Sequence, residues 1–271
     1  MQKLDQGTVI YGIRSEKYPE VRCYGIIVSA RCDVANCKVR RLYYIIGVDV
    51  NDWIVTETGF THVLNAKLRE IEGRIYTTVK EAGLDPDTLL TFDEKSVRRV
   101  LAEETDKKTA ETILRLHHDY RIYFTKDIEE RRKLIKANLK TVRAQVREIN
   151  KGKHVHLYYL PQAAYMDKEE LLKGLIVDLQ ELEAISIADA EVLEKGQIDR
   201  KLREFDKTDH YNKFCWLEAE DDFAAIDCQI KSPWCEHLMQ RFSNSFIRIG
   251  LDGPSDKDFD RMFADDKEKS V

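Results

Sequence analysis

The amino-acid sequence predicts an α+β fold, in which a bent β-barrel-like domain is built from both chain ends and interrupted by a helical insertion. Short runs of β-branched and aromatic residues occur near the N-terminus and again after residue 152. Between these regions the hydrophobic period changes to three or four residues, which is typical of helices. Because strands left unpaired at a sheet edge are unstable, the two β regions are expected to pair with each other.

The first β region covers residues 7–56. Turn residues separate its apolar runs, which read GTVIYGI, YGIIVSA, RLYYIIGVDV and DWIVTET. Four short strands at this spacing favour a small barrel or a strongly bent sheet. The predicted barrel domain comprises residues 1–60 and 152–252.

A helical insertion is predicted over residues 61–151. The apolar positions of its first helix are Leu64, Leu68, Ile71, Ile75 and Val79. Two further helices are expected over 93–104 and 106–124. The longest helix is predicted over 127–151, where apolar residues follow a seven-residue repeat with basic residues between them. About three heptads favour an antiparallel helical hairpin.

Strand patterns return after the insertion, and a helix closes the domain. The strand-like runs are HVHLYYLPQ, GLIVDLQELEAIS and KFCWLEAEDDFAAIDCQI. The closing helix is expected over 232–248, with Ser232 as its N-cap and Pro233 at its first position. Residues 253–271 are acidic and poor in large apolar side chains, which predicts a mobile tail.

Composition narrows the class of function. The 271 residues are 43% hydrophobic and 34% charged, which is typical of a soluble globular protein. No apolar run reaches the roughly 18 residues that a membrane span needs, and no signal peptide is visible. A cytoplasmic protein without a membrane partner is therefore expected, with its six cysteines mostly reduced. The net charge of −5 argues against nucleic-acid binding over the whole surface.

The segment SARCD, residues 29–33, is the first candidate site. As a reactive pocket, its catalytic candidates are Ser29, Arg31, Cys32 and Asp33. As a structural turn, Ser29 and Asp33 would bond free backbone groups at a strand end. Cys32 would then pack as a small buried hydrophobe. Both interpretations remain open from the sequence.

The closing helix carries a second candidate site. Arg241, Asn244 and Arg248 are spaced to lie along one side of it. Such a row could bind a phosphate or carboxylate ligand, or could pair with internal acidic residues such as Asp33 and Asp178.

The insertion offers a third candidate, on its basic helix. Ten Lys or Arg stand against four Asp or Glu between Lys126 and Lys153. Lys136, Lys140 and Arg143 are the predicted binding residues of this face. A protein partner is expected here, and nucleic acid is the alternative partner.

No cofactor and no metal site are predicted. The sequence lacks a Gly-rich phosphate loop and the common catalytic motifs. Paired zinc ligands usually stand two to four residues apart. Cys32 and Cys37 are separated by four residues, and no second such pair exists. A zinc-stabilised adaptor nevertheless remains an alternative.

Two segments resemble an uncharacterised family of bacterial proteins. GIIVSARCDVANCK, residues 25–38, resembles the strand-end motif SxxCD(I/V/L)A of that family. IKSPWCEHLMQRFSNSFIRIGL, residues 230–251, resembles its closing helix, SPxxEHLxQxFxxFFxRxGL. The resemblance implies a bacterial protein of the mobile-element or anti-phage defence type, without assigned chemistry.

A fainter resemblance is to MazF-like toxins, small barrels that cleave RNA. Ile26-Ile27-Val28-Ser29 is similar to their (I/L)VLS strand, whereas Cys23-Tyr24 replaces the Arg-Pro that precedes it. This resemblance implies an endoribonuclease with Ser29, Arg31 and Asp33 near the active pocket.

The expected function is a non-enzymatic binding or regulatory subunit of a bacterial anti-phage or mobile-element module. The alternatives are a MazF-like endoribonuclease and a zinc-stabilised adaptor.

Overall fold

Seven antiparallel strands form one sheet in the computed structural model, which describes residues 3–35, 40–164, 174–199 and 222–247. The strands are β1 Thr8–Ile13, β2 Cys23–Ile27, β3 Arg41–Asp49, β4 Leu157–Pro161, β5 Gly174–Ser186, β6 Gln197–Asp199 and β7 Phe223–Gln229. Their spatial order is β4-β5-β3-β2-β1-β7-β6. The predicted acidic tail, residues 253–271, lies outside the described residues.

The helices of the described chain lie mostly between β3 and β4, with two more among the later strands. They are α1 Arg31–Ala35, α2 Val50–Trp53, α3 Glu57–Glu81, α4 Pro86–Thr91, α5 Glu94–Glu104, α6 Lys107–Ile122, α7 Ile128–Ala137, α8 Leu139–Asn150, α9 Ile187–Lys195 and α10 Trp234–Ile247. The sequence did not predict α9 or β6.

Both ends of the chain contribute to the sheet, which confirms the predicted pairing of the two β regions. β1 pairs with β7, with Thr8 opposite Gln229. β3 pairs with β5, with Arg41 opposite Ser186. The fold is therefore α+β, with a helical insertion between two halves of one antiparallel sheet.

The predicted barrel is wrong, because the sheet is not closed. Its edges are β4 and β6, and these two strands do not pair within the described part of the chain. A barrel removes exposed edges by closure, but helices can bury an open sheet equally well. Here helices cover both faces, so the apolar surface is buried without closure.

Side chains of the sheet alternate between two hydrophobic cores. On one face, Ile10 and Ile46 pack with α2, α8 and the first half of α3. On the other face, Val9 and Ile45 pack with α10 through Leu238. All four strand residues are fully buried. Because both faces are apolar, the strands read as nearly continuous hydrophobic runs.

The predicted fourth strand, DWIVTET, is instead helical. Asp49 accepts a hydrogen bond from the Asn51 N–H and caps α2. Thr56 accepts one from the Gly59 N–H and caps α3. A Cβ on Gly59 would lie 1.9 Å from the Trp53 carbonyl oxygen, so the two helices approach this closely only with glycine there. Capping therefore overrides the β-branched composition of this segment.

The far end of the insertion has a hydrophobic core of its own. Its fully or almost fully buried residues are Ile71, Ile75, Val79, Leu89, Val97, Leu101, Ile113 and Leu116, from α3, α4, α5 and α6. The predicted helical face of α3 thus divides its apolar residues between the sheet core and this second core.

The predicted single helix over 127–151 is two helices, α7 and α8, interrupted at Asn138. Helical hydrogen bonds nevertheless continue across the break, from Asn138 N–H to the Leu134 carbonyl and from Val142 N–H to the Asn138 carbonyl. α3, at 25 residues, is longer than either helix. The buried side of α7 and α8 packs into the sheet core.

Candidate functional site

The exposed side of α7 and α8 carries a row of basic residues. The row, called the basic row below, consists of Lys133, Lys136, Lys140, Arg143 and Arg147, all of which are exposed. Their spacings of three and four residues place them on one helix side. At 1.5 Å per residue, the basic row is roughly 20 Å long.

Burial on the opposite side fixes the basic row in place. Ile135, Val142, Val146 and Ile149 are at most 5% exposed and belong to the sheet core. The N-cap of α7 is Asp127, whose side chain accepts a hydrogen bond from the Glu130 N–H. The cations are therefore displayed by packed helices rather than by a loop.

The basic row has no acidic partner within the described residues. Glu129 pairs instead with Arg132, at 3.4 Å. Glu148 pairs with Lys151 and Lys153, and Lys153 lowers the pKa of its carboxyl group. Because neighbouring carboxylates are engaged with other cations, the positive charge of the row stays available to an external anionic group.

On α10, Arg241 binds backbone rather than an acidic side chain. Its Nη2 donates to the carbonyl oxygens of His154, at 2.9 Å, and Gly152, at 3.4 Å. These bonds tie α10 to the chain that leads into β4. Asn244 is exposed, and Arg248 lies outside the described residues.

The SARCD segment divides between strand end and helix α1. Ser29 Oγ accepts a hydrogen bond from the Tyr43 N–H at 2.8 Å, the type of backbone bond that the structural interpretation predicted. Arg31 pairs with Asp5 at 3.2 Å. Cys32 is exposed, so the expectation of a buried thiol is wrong. The side chain of Asp33 lies outside the described part.

The cysteines do not form a metal cluster where the structure describes them. Within those ranges, no three His, Cys, Asp or Glu side chains lie close enough together to hold a metal ion. Burial raises the pKa of the Cys23 thiol and of the Cys228 thiol to about 12 in each case. Such thiols are protonated at neutral pH and are poor nucleophiles. Cys37 and Cys215 lie outside the described residues.

A buried polar cluster at a bulge of β5 was not found by sequence reasoning. Opposite β3, the pairing shifts from Ile45–Leu182 to Ile46–Asp178, so three residues of β5 bulge out. Asp178 is 3% exposed and accepts a hydrogen bond from the Tyr18 hydroxyl at 2.7 Å. Lys17 forms an ion pair with the same carboxylate, also at 2.7 Å.

Sequence separation explains why this cluster was missed. Tyr18 and Asp178 are 160 positions apart, and neither lies in a motif. A possible signal was Asp178 itself, since a charged residue within the apolar run GLIVDL needs a buried partner. Lys17 also binds Glu181 at 3.1 Å, so the cluster satisfies its own charges and functions as a structural element.

Comparison with protein-family models, with curated proteins and with solved structures finds no match to this chain. Every helix within the described segments is too short or too polar to cross a lipid bilayer.

Proposed function

We propose that this protein is a non-enzymatic binding subunit of a bacterial anti-phage or mobile-element module, and that its basic row binds an acidic surface of a protein partner. The observation that carries the proposal is the row itself: five exposed cations, without acidic partners in the described chain, on one side of two packed helices. Rigid helices lower the entropic cost of binding.

The charge of the whole chain favours a protein partner over nucleic acid. The net charge is −5, so the surface outside the basic row is acidic overall and repels an extended polyanion. A folded partner with a local acidic patch needs to match only about 20 Å of surface. The bacterial module is proposed from the two sequence motifs alone.

The contacts of the SARCD segment support a binding function over the ribonuclease alternative. Ser29 is engaged by backbone and Arg31 by Asp5. A nucleophile needs an adjacent general base, and the described contacts of Ser29 and Arg31 include none.

The test is charge reversal on the basic row. Lys136→Glu, Lys140→Glu and Arg143→Glu together should leave the melting temperature within about 2 °C, because exposed charges contribute little to stability. The matched control reverses Lys80, Lys107 and Lys108, which are exposed elsewhere on the insertion. The tagged proteins are purified from their bacterial host with and without nuclease, and the bound proteins are quantified by mass spectrometry.

The proposal expects an acidic protein that binds wild type and the control, is lost from the basic-row variant, and is unaffected by nuclease. Its binding should weaken as salt rises. If nuclease releases the bound material, the partner is nucleic acid and the proposal is wrong. Equal binding by both triple variants would also contradict it.

A further inference from the structure

A cleft lies between the connection from β1 to β2 and the first turns of α3, away from the exposed residues of the basic row. It has a volume of about 540 Å³ and is lined by Glu16, Lys17, Glu20, Glu57, Thr61 and His62, with other residues of the same two segments. The cleft is open to solvent and mixes charged and uncharged polar groups, which suits a small polar ligand group.

Two polar atoms of this cleft are buried without a hydrogen-bond partner in the described chain. They are Oε2 of Glu20 and Nε2 of His62. Buried polar atoms are nearly always paired, because leaving them unpaired costs free energy. Two such atoms in the lining of one cleft therefore indicate a ligand that donates hydrogen bonds to both.

Glu20 is held in position by its other oxygen. Oε1 accepts from the Glu57 N–H at 3.3 Å and faces Nη1 of Arg131 at 3.5 Å. Arg131 is 3% exposed and also donates to the carbonyl oxygens of Val55 and Thr125, each at 3.0 Å. The carboxylate is thus fixed before any ligand arrives, and it already occupies the N-terminus of α3 where an external anion would otherwise bind.

His62 is held by two aromatic rings. Its ring centroid is 5.6 Å from that of Trp53 and 4.5 Å from that of His154. Burial, and secondarily the neighbouring His154, lower the pKa of His62. The imidazole is therefore neutral at neutral pH and can accept a hydrogen bond at Nε2.

The charges around the cleft select a cation. Five carboxylates stand against the two cations Lys17 and Arg131; they are Glu16, Glu20, Glu57, Asp178 and Glu181. Lys17 is occupied by Asp178 and Glu181. An anionic ligand would be repelled here, whereas a cationic hydrogen-bond donor would be attracted.

We propose that this cleft binds a guanidinium group, with Glu20 Oε2 and His62 Nε2 as the acceptors. A guanidinium presents several N–H donors in one plane and never acts as an acceptor, so it can satisfy two separate acceptors at once. An ammonium ion is more strongly hydrated and has no planar fork. The proposal does not depend on the function of the basic row.

The test measures binding of acetyl-Gly-Arg-Gly-amide to the full chain by calorimetry and by NMR. Matched peptides carry lysine or norleucine in place of arginine, and free arginine amide is a fourth probe. We expect the arginine peptide to bind at least fivefold more tightly than the lysine peptide, and the norleucine peptide not to bind. Tighter binding of the peptide than of arginine amide would identify a polypeptide as the source, and equal binding a small guanidine compound.

Two variants locate the site. Glu20→Gln should weaken arginine-peptide binding at least tenfold, and His62→Phe, which keeps a ring against Trp53 and His154, at least threefold. Glu104→Gln, in a separate exposed cavity on the insertion, is the control and should bind as wild type does. Thermal melting identifies any unfolded variant, and His62→Phe decides alone if Glu20→Gln does not fold. The proposal is overturned if wild type does not bind the arginine peptide, if lysine binds equally, or if His62→Phe binds like wild type.

Discussion

Asp178 connects the two halves of the chain through single side chains. It is buried at the β5 bulge and binds Tyr18 and Lys17, which follow β1. Burial, and secondarily the charge of Asp178, raise the pKa of Tyr18 above its ordinary value of 10.0. For Lys17, burial lowers the pKa, but bonds to Asp178 and Glu181 outweigh it, so the pKa is raised above 10.5.

These shifts predict a loss of stability in alkali. Both groups keep their protons to a higher pH in the folded state than in the unfolded state, so the unfolded state loses protons first. The free energy of unfolding should therefore be independent of these groups below about pH 9 and fall from about pH 10 upward, near the ordinary values of 10.0 and 10.5. Urea unfolding between pH 7 and pH 11 measures this.

Tyr18→Phe separates the tyrosine from the other titrating groups. At pH 7 the variant should lose about 2 kcal/mol, because the hydrogen bond to a buried carboxylate is removed. Its further loss between pH 9 and pH 11 should be smaller than that of wild type. Tyr43→Phe, at a tyrosine that is 47% exposed, is the control and should follow the wild-type curve. An alkaline loss as steep in Tyr18→Phe as in wild type would contradict this account.

At the scale of elements, local pattern predicted the strands better than the helix boundaries. β1, β2, β3 and β5 lie where apolar runs predicted them, because a strand buried on both faces has a continuous hydrophobic sequence. The segment DWIVTET has the same composition but becomes helical through the caps Asp49 and Thr56. The basic side of α7 and α8 could be read from periodicity, whereas the cleft could not, since its residues meet only after folding.

The docking of α10 gives a prediction at this scale. Arg241→Met keeps the apolar stem but leaves the carbonyl oxygens of His154 and Gly152 without their guanidinium donor. We expect a loss of about 2 kcal/mol in the free energy of unfolding, and faster amide hydrogen exchange in α10 than elsewhere. Asn244→Ala, at an exposed position of the same helix, should change stability by less than about 0.5 kcal/mol. Similar effects of the two substitutions would show that Arg241 does not hold α10.

At the scale of the whole molecule, the sheet cannot form from one part of the chain. The N-terminal half supplies β1, β2 and β3, but β1 needs β7 beside it and β3 needs β5. The pattern of the sequence was sufficient to predict this pairing, because each half alone has too few strands to bury two faces. It was not sufficient to exclude a barrel, since the strand runs do not reveal that helices cover both faces.

Cutting the chain between Thr105 and Asp106 tests this dependence. The cut separates α5 from α6 and leaves Asp106 in place as the N-cap of α6. Fragment 1–105 then contains β1, β2 and β3, while fragment 106–271 contains the four other strands. Each fragment alone should lack the dispersed NMR spectrum of a folded sheet, because long-range strand pairs and both cores are incomplete. An equimolar mixture should regain that dispersion and melt cooperatively, since the joined surfaces include the second core between α3, α5 and α6. A well-dispersed spectrum from fragment 1–105 alone would show that the N-terminal strands fold independently and would contradict the prediction.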